Sequence, residues 1–316
     1  YIVAKRSGET IDHVYIIHLN KHYVREGDIN VSELLTIEDV TDRVLNVESE
    51  VAAQIEQALT LINQDEIDHN GCGCRYKSAA NHCDTFNYFN PDITPPSIHN
   101  IPRINPAKIT LLIDDGIIQI RDVPPEFNLS APQSLVRSAA HNDAPLINAD
   151  KIKETLASYE LPLYFFDFET YASAIPIVDD IGPHKAFPVQ YSLHILEEDG
   201  TLTHKEYLER MPQLPAPLVE RMEQDFGEIG SIVSWHASFE KTMNNNMAEF
   251  FPEKVGFLHD INNRMVDLED IFKADYVDVR FCGSTSIKKV LPVICPHLGY
   301  DELDVQDGAA AMEAWQ

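Results

Sequence analysis

The residues best suited to chemistry are two acids in the stretch Leu163 to Thr170, which reads LYFFDFET. Asp167 and Glu169 sit two positions apart in an otherwise apolar and aromatic run. In a strand both project from one face while Phe166 and Phe168 project from the other. Two carboxylates on one apolar strand repel each other and resist desolvation unless they share a proton or a cation. A divalent cation removes both costs. Oxygen-only ligands favour Mg2+ or Mn2+, and two such ions about 4 Å apart activate water and stabilise a leaving oxygen in phosphodiester hydrolysis. The competing reading is a strand end at which the acids simply reach solvent, and the motif alone leaves the two open.

A second candidate group is made of thiols. Of five cysteines, Cys72, Cys74 and Cys83 cluster in a short segment rich in Gly, His and Asn, whereas Cys282 and Cys295 stand alone. Three thiolates in an irregular segment can hold zinc or three corners of an iron-sulfur cluster. That is one ligand short, and the fourth could come from His82, from Cys282, or from residues preceding Tyr1. A reduced loop without metal is the alternative.

The composition narrows the class of protein. The 316 residues carry a formal net charge of -27, with a pI near 4.7. Such a balance argues against a protein that coats nucleic acid with a broad basic surface. It leaves room for a nuclease, because bound metals neutralise acids locally and a small basic patch can guide a strand. No apolar run reaches membrane-spanning length and no signal peptide is visible, so a cytoplasmic protein without membrane contact is expected. A chain that opens on Tyr1 and closes on Trp315-Gln316 reads as a fragment at both ends.

The elements that must position these groups follow from periodicity. His13 to Leu19 reads as a strand, and Leu34 through Ile62 as a helix with Asp39 or Thr41 as its cap. The proline-punctuated stretch from Asn90 to Asp150 contains a helix over Ala107 to Asp114. A turn at Gly116 and a second apolar patch ending at Val123 follow, an order like a helix-hairpin-helix or, more simply, a packed helical linker. From Asp150 strands alternate with helices. Leu163 to Phe168, Phe187 to Leu196 and Leu202 to Leu208 form three successive strands, the last two joined by a turn at Asp199-Gly200. A helix over Leu218 to Phe226, a strand over Ser231 to Trp235 and a helix over Ser238 to Phe250 complete the pattern. Leu163 to Phe168 has the near-continuous apolar character of a strand buried on both faces. The order predicts an α/β, RNase H-like mixed sheet flanked by helices, with the ends of its first and fourth strands adjacent.

Strand one with Asp-x-Glu, followed by WHASFE (Trp235 to Glu240) at the start of a later helix, resembles the first two motifs of the DnaQ-like DEDD exonucleases. The resemblance implies that Glu240 joins Asp167 and Glu169 as a metal ligand. Most of that superfamily has Asp at this position, and the longer arm of Glu still reaches a metal. MVDLEDIF (Met265 to Phe272) resembles the segment in which an aspartate precedes a helix, and implies that Asp267 braces the site. Together with AIP, PVQYSLH, SFEK and SIKKVLP, these segments resemble one uncharacterised bacterial family, domain of unknown function 2779. Upstream, YIIHLNKHYVR (Tyr15 to Arg25) is similar to the segment that follows the catalytic core of RecB-like nucleases. The cysteine group is similar to the cysteine cluster found there, which is related to the iron-sulfur clasp of the CRISPR adaptation nucleases.

The resemblance implies four regions. Residues 1-69 are the C-terminal remnant of a RecB-like nuclease domain, 70-91 the cysteine segment, 92-150 a proline-rich helical linker, and 151-316 a DnaQ-like exonuclease domain ending before its third motif. It implies a two-metal Mg2+ or Mn2+ site, an iron-sulfur cluster or zinc at the cysteines, and single-stranded DNA or RNA as substrate for 3'-5' hydrolysis. The RecB-like catalytic motifs are expected before Tyr1, and the third exonuclease motif, Tyr-x-x-x-Asp, beyond Gln316. A catalytically decayed nucleic-acid-binding or scaffold module is the alternative.

Overall fold

A computed structural model describes residues 1–68, 71–300 and 303–315. The boundary expected at 69/70 falls on residues outside these. Nine strands are used below: β1 (Tyr15–Leu19), β2 (Leu35–Asp39), β3 (Leu146–Ile147), β4 (Leu163–Tyr171), β5 (Phe187–Leu196), β6 (Leu202–Leu208), β7 (Ile232–Ser234), β8 (Met265–Asp267) and β9 (Tyr276–Val277). The described residues divide into two units. The first comprises Tyr1–Asp68, Tyr171–Ala186 and Met211–Leu214, and the second holds the remainder.

In the first unit β1 pairs antiparallel with β2, Tyr15 opposite Asp39 and Leu19 opposite Leu35. The helix expected from Leu34 therefore begins only at Thr41 and runs to Ile62. Thr36 and Ile37 are β-branched, and pairing with a strand distant in sequence overrides the local helical spacing. Asp39 does serve the helix start, accepting from the Thr41 amide at 2.9 Å. The small core of this unit gathers Tyr23, Leu34, Val40, Val178 and Ile181, and the Arg25 amide bonds the Ile181 carbonyl at 3.2 Å.

The second unit is mixed α/β. Its five-stranded sheet has the order β6-β5-β4-β7-β8, with β5 and β6 antiparallel and β4, β7 and β8 parallel. The β5–β6 hairpin closes at Gly200 (φ +84°), where the Thr201 amide bonds Asp199 Oδ1. On β4, Tyr164, Phe166 and Phe168 are buried, and the rings of Phe166 and Phe226 meet edge to face with centroids 5.2 Å apart. The opposite face of β4 differs from expectation. Phe165 and Asp167 are exposed and Glu169 half-buried, so the strand is covered on one side and open on the other. Its aromatic residues give a continuous apolar run without requiring two buried faces.

Helix Ala216–Asp225 seals the covered side through Leu218, Val219 and Met222. It is locked by a buried polar knot, in which Asp225 accepts from Tyr191 Oη at 2.6 Å, Arg221 Nε at 3.0 Å and Lys205 Nζ at 3.1 Å. Residues 98–140 build a hydrophobic cluster of their own around Ile98, Ile109, Leu112 and Ile120, which also takes in Val277 of β9. A helix runs over Pro106–Asp114, capped by Asn105 and stopped at Gly116 (φ +75°). No second helix follows the turn: Ile120–Asp122 is a single 3-10 turn, and the next helix is Ala131–Asn142. The apolar patch there is too short for a helix and is used as core.

Candidate metal-binding acidic site

Side-chain alternation on β4 brings Asp167 and Glu169 to the open face of the sheet. They line a cleft of about 420 Å³ together with Gln190 and Ser192 of β5 and with Ala311, Ala314 and Trp315 of helix Gly308–Trp315. Trp315 anchors that helix by donating from Nε1 to the Glu209 carbonyl at 2.6 Å. A Cβ added at Gly308 would lie 3.8 Å from Glu169 Oε2, so the helix starts near that carboxylate.

Glu240 arrives from the other side. Ser234, the last residue of β7, donates from Oγ to the Phe166 carbonyl at 2.8 Å and fixes β7 beside the residue that precedes Asp167. The chain then turns sharply at His236 (φ +65°) and enters helix Ser238–Phe250. Glu240 lies in the first turn of that helix and is 3% exposed. Its carboxyl lies close enough to that of Asp167 for each to perturb the other's proton. Burial, reinforced by the Asp167 charge, pushes the Glu240 pKa up to about 7. Asp167, although open to the cleft, is raised by partial loss of water around its carboxyl, with its Glu240 neighbour pulling it back, and Glu169 is raised by desolvation and the Asp167 charge, partly offset by Lys288.

Within this pair Glu240 Oε2 is buried without a hydrogen-bond partner, as is Oδ1 of Asn244 one turn further along the helix. A buried, unpaired acceptor costs about 1–3 kcal/mol. A divalent cation at Asp167 and Glu240 would remove that cost, so this donor pair fits Mg2+ or Mn2+. Glu169 stands beside Asp167, yet the three acids do not bring three oxygens within 4.8 Å of one another. The close pair is Asp167 with Glu240.

Asp267 is a brace by its contacts. Its Oδ1 accepts from the amides of His236 and Glu269, each at 3.0 Å, which pins the turn before Glu240 to the start of helix Glu269–Ala274. Five further residues take part to which the motifs assign no role. His236 Nδ1 lies 2.9 Å from Glu269 Oε2, Glu269 also accepts from Thr285 Oγ1 and Lys273 Nζ, and Lys288 approaches Glu169. The sequence signals for them were weak: a polar residue between a strand and a helix for His236, and a cation two residues into a helix for Lys288.

The cysteines do converge. Cys72, Cys74 and Cys83 place their sulfurs within 4.8 Å of one another, around the 3-10 turn Gly73–Tyr76. Tetrahedral zinc with bonds near 2.3 Å needs sulfurs about 3.8 Å apart, so the group can hold a metal, zinc or iron-sulfur. Hydrogen bonds from Thr85 and Cys74 lower the Cys83 pKa, toward the thiolate a metal requires. Neither His82 nor Cys282 joins the group. The His82 ring stacks on Phe86 with centroids 3.4 Å apart, and its Nε2 lies 3.0 Å from the Lys77 carbonyl.

The fold and site define a mixed α/β protein with an acid pair formed between its central strand and the helix after β7, and a separate three-thiol group. Residues 164–286 match the family model described as Domain of unknown function (DUF2779). The chain is similar to an uncharacterized protein of Mycoplasma pneumoniae, the MG366 homolog, with 30% identity over 186 residues covering 52% of this chain and 28% of that protein. It is similar to uncharacterized protein MG366 of Mycoplasma genitalium, with 28% identity over 187 residues and the same two coverages. The chain thus spans only 28% of the length of these relatives. No solved structure matches it. Among the described residues no helix is long and apolar enough to cross a membrane.

Proposed function

We propose that the second unit is an RNase H-like, DnaQ-type exonuclease domain that hydrolyses single-stranded nucleic acid from its 3' end with Mg2+ or Mn2+. One observation carries this reading: a buried glutamate with an unpaired oxygen faces an aspartate at the junction of two parallel strands. The sheet order β6-β5-β4-β7-β8 supports it, because three sequential strands followed by two parallel ones put the acids of β4 next to the helix after β7. Asp167 and Glu240 would hold the metal, with Glu169 beside them for a second ion. Bound metal would supply an activated water and charge neutralisation at the leaving oxygen. The chain's own residues do the rest. Asp267 and the His236 turn fix the approach of Glu240, and Lys288 balances the charge of Glu169 and is placed to meet a phosphate oxygen. The thiol group would hold an iron-sulfur cluster or zinc, and free cysteines suit the reducing cytoplasm.

The test is end-labelled single-stranded DNA and RNA incubated with Mn2+ or chelator, comparing the chain extended through the expected third motif with its Asp167→Ala variant. Metal-dependent shortening from the 3' end, absent in the variant, is expected. Equal turnover by the variant would refute the assignment. A second reading, a non-catalytic binding module, has its own observation. From helix Gly308–Trp315 the cleft receives only Ala311, Ala314 and Trp315, so that helix adds no acid to the metal pair. Folded protein that binds no Mn2+ would favour it.

A further inference from the structure

A second and larger cavity lies in the same unit, about 1450 Å³, between the 98–136 segment and the loops after β7 and β9. It exceeds the roughly 300–1,000 Å³ of small-molecule sites. Its electrostatics are opposite to those of the chain. The two acids in its lining each hold a cation: Glu269 pairs with Lys273 at 2.8 Å, a lysine that Asp270 shares at 2.9 Å, and Asp278 pairs with Arg280 at 2.6 Å. Two cations in the lining, Arg103 and Lys108, have no carboxylate partner among the described residues. In a chain of net charge -27, an acid-balanced groove with two spare cations selects for an anion.

The remaining lining describes what kind of anion. Trp235 and Phe272 stack with centroids 5.2 Å apart and form an aromatic part of the lining, backed by the buried Phe281 at 6.2 Å from Phe272. Ser284 and Ser286 add hydroxyls beside it. Spare cations along a groove with an aromatic wall are the combination that takes phosphates and unstacked bases together. His236 lines this groove, and the left-handed turn at His236 leads directly into the helix that carries Glu240.

We infer that this groove is the track for a single-stranded polynucleotide, with Arg103 and Lys108 on phosphates, the Trp235–Phe272 wall on bases, and the 3' end directed past His236 to the acid pair. Its direction rests on the exonuclease reading, whereas binding in the groove does not. The 98–136 segment is then substrate-binding surface as well as packed core.

The test separates the two. Fluorescein-labelled dT12 and U12 are titrated with this chain in EDTA, where no hydrolysis occurs, and anisotropy is followed at several salt concentrations. Arg103→Glu with Lys108→Glu is expected to weaken binding at least tenfold and to reduce the log–log salt slope by about 1.4, two single-strand phosphate contacts. Arg121→Glu with Lys153→Glu makes the same charge change on exposed residues outside the groove, and should stay within twofold of the parent. Equal weakening by both pairs, no oligonucleotide binding, or equal competition by a poly-glutamate peptide would each overturn the track. Groove-dependent binding without Mn2+-dependent shortening would uphold it and remove the exonuclease. Shortening with groove-independent binding would do the reverse.

Discussion

Replacing Glu240 with Gln keeps the shape of the side chain and removes its titration, which isolates the charge of a carboxyl buried against Asp167. The folded protein holds the Glu240 proton up to about pH 7 against an ordinary value of 4.5. Between those values the folded state binds more protons than the unfolded one, so stability falls as pH rises. At about 1.4 kcal/mol per pH unit the full cost above pH 7 is about 3 kcal/mol, and about 2 kcal/mol once water in the adjoining cleft screens the charge. Urea unfolding in EDTA from pH 4.5 to 8 should show the wild type losing that amount relative to Glu240→Gln. Mn2+ at a hundred times its dissociation constant should then return about 2.7 kcal/mol at pH 8, and far less in the variant. Parallel pH curves for the two proteins, or equal stabilisation of both by Mn2+, would refute the buried pair as a cation site.

Two other outcomes follow from the geometry. Gly230 has φ +96°, and a Cβ there would collide with the Pro162 carbonyl. Gly230→Ala should therefore lower stability by about 3 kcal/mol in denaturant titration, and a change below about 0.5 kcal/mol would count against the tight junction between β4 and β7. Cys74→Ser should abolish the zinc or iron measured by mass spectrometry in protein purified without oxygen, whereas Cys282→Ser, outside the thiol group, should retain it. Equal metal in both variants would remove the cluster assignment.

How much was legible depended on whether the deciding partner was near in sequence. The β5–β6 hairpin and helix Ser238–Phe250 could be bounded because an Asp-Gly turn and a helical repeat are local signals. Leu35–Asp39 reads as helix because its spacing permits one, while its strand partner lies 16 to 24 residues upstream along the register. The 98–140 region reads as a linker from its prolines, yet its isoleucines and leucines, scattered between turns, converge on Val277 far along the chain. Asp167 and Glu169 stood out because acids contrast with an apolar strand. His236 did not, since its role comes from a left-handed backbone turn and a contact with Glu269 that no local pattern encodes.

Glu240 and Asn244 show why the acid pair is better explained by a ligand than by packing. They are one helical turn apart, both at most 3% exposed, and each leaves an oxygen unpaired. Asn244 is held by donating from Nδ2 to Asn262 Oδ1 at 2.8 Å, so its free oxygen is fixed in place. A fold selected for stability alone would fill such positions with apolar residues at a gain of a few kcal/mol. A proton shared between Asp167 and Glu240 offsets part of the cost below pH 7, and above it the pair carries a charge that only a cation can balance. A bound cation would recover the stability lost by burying Glu240, which predicts tightest cation binding in the pH range where the empty fold is least stable.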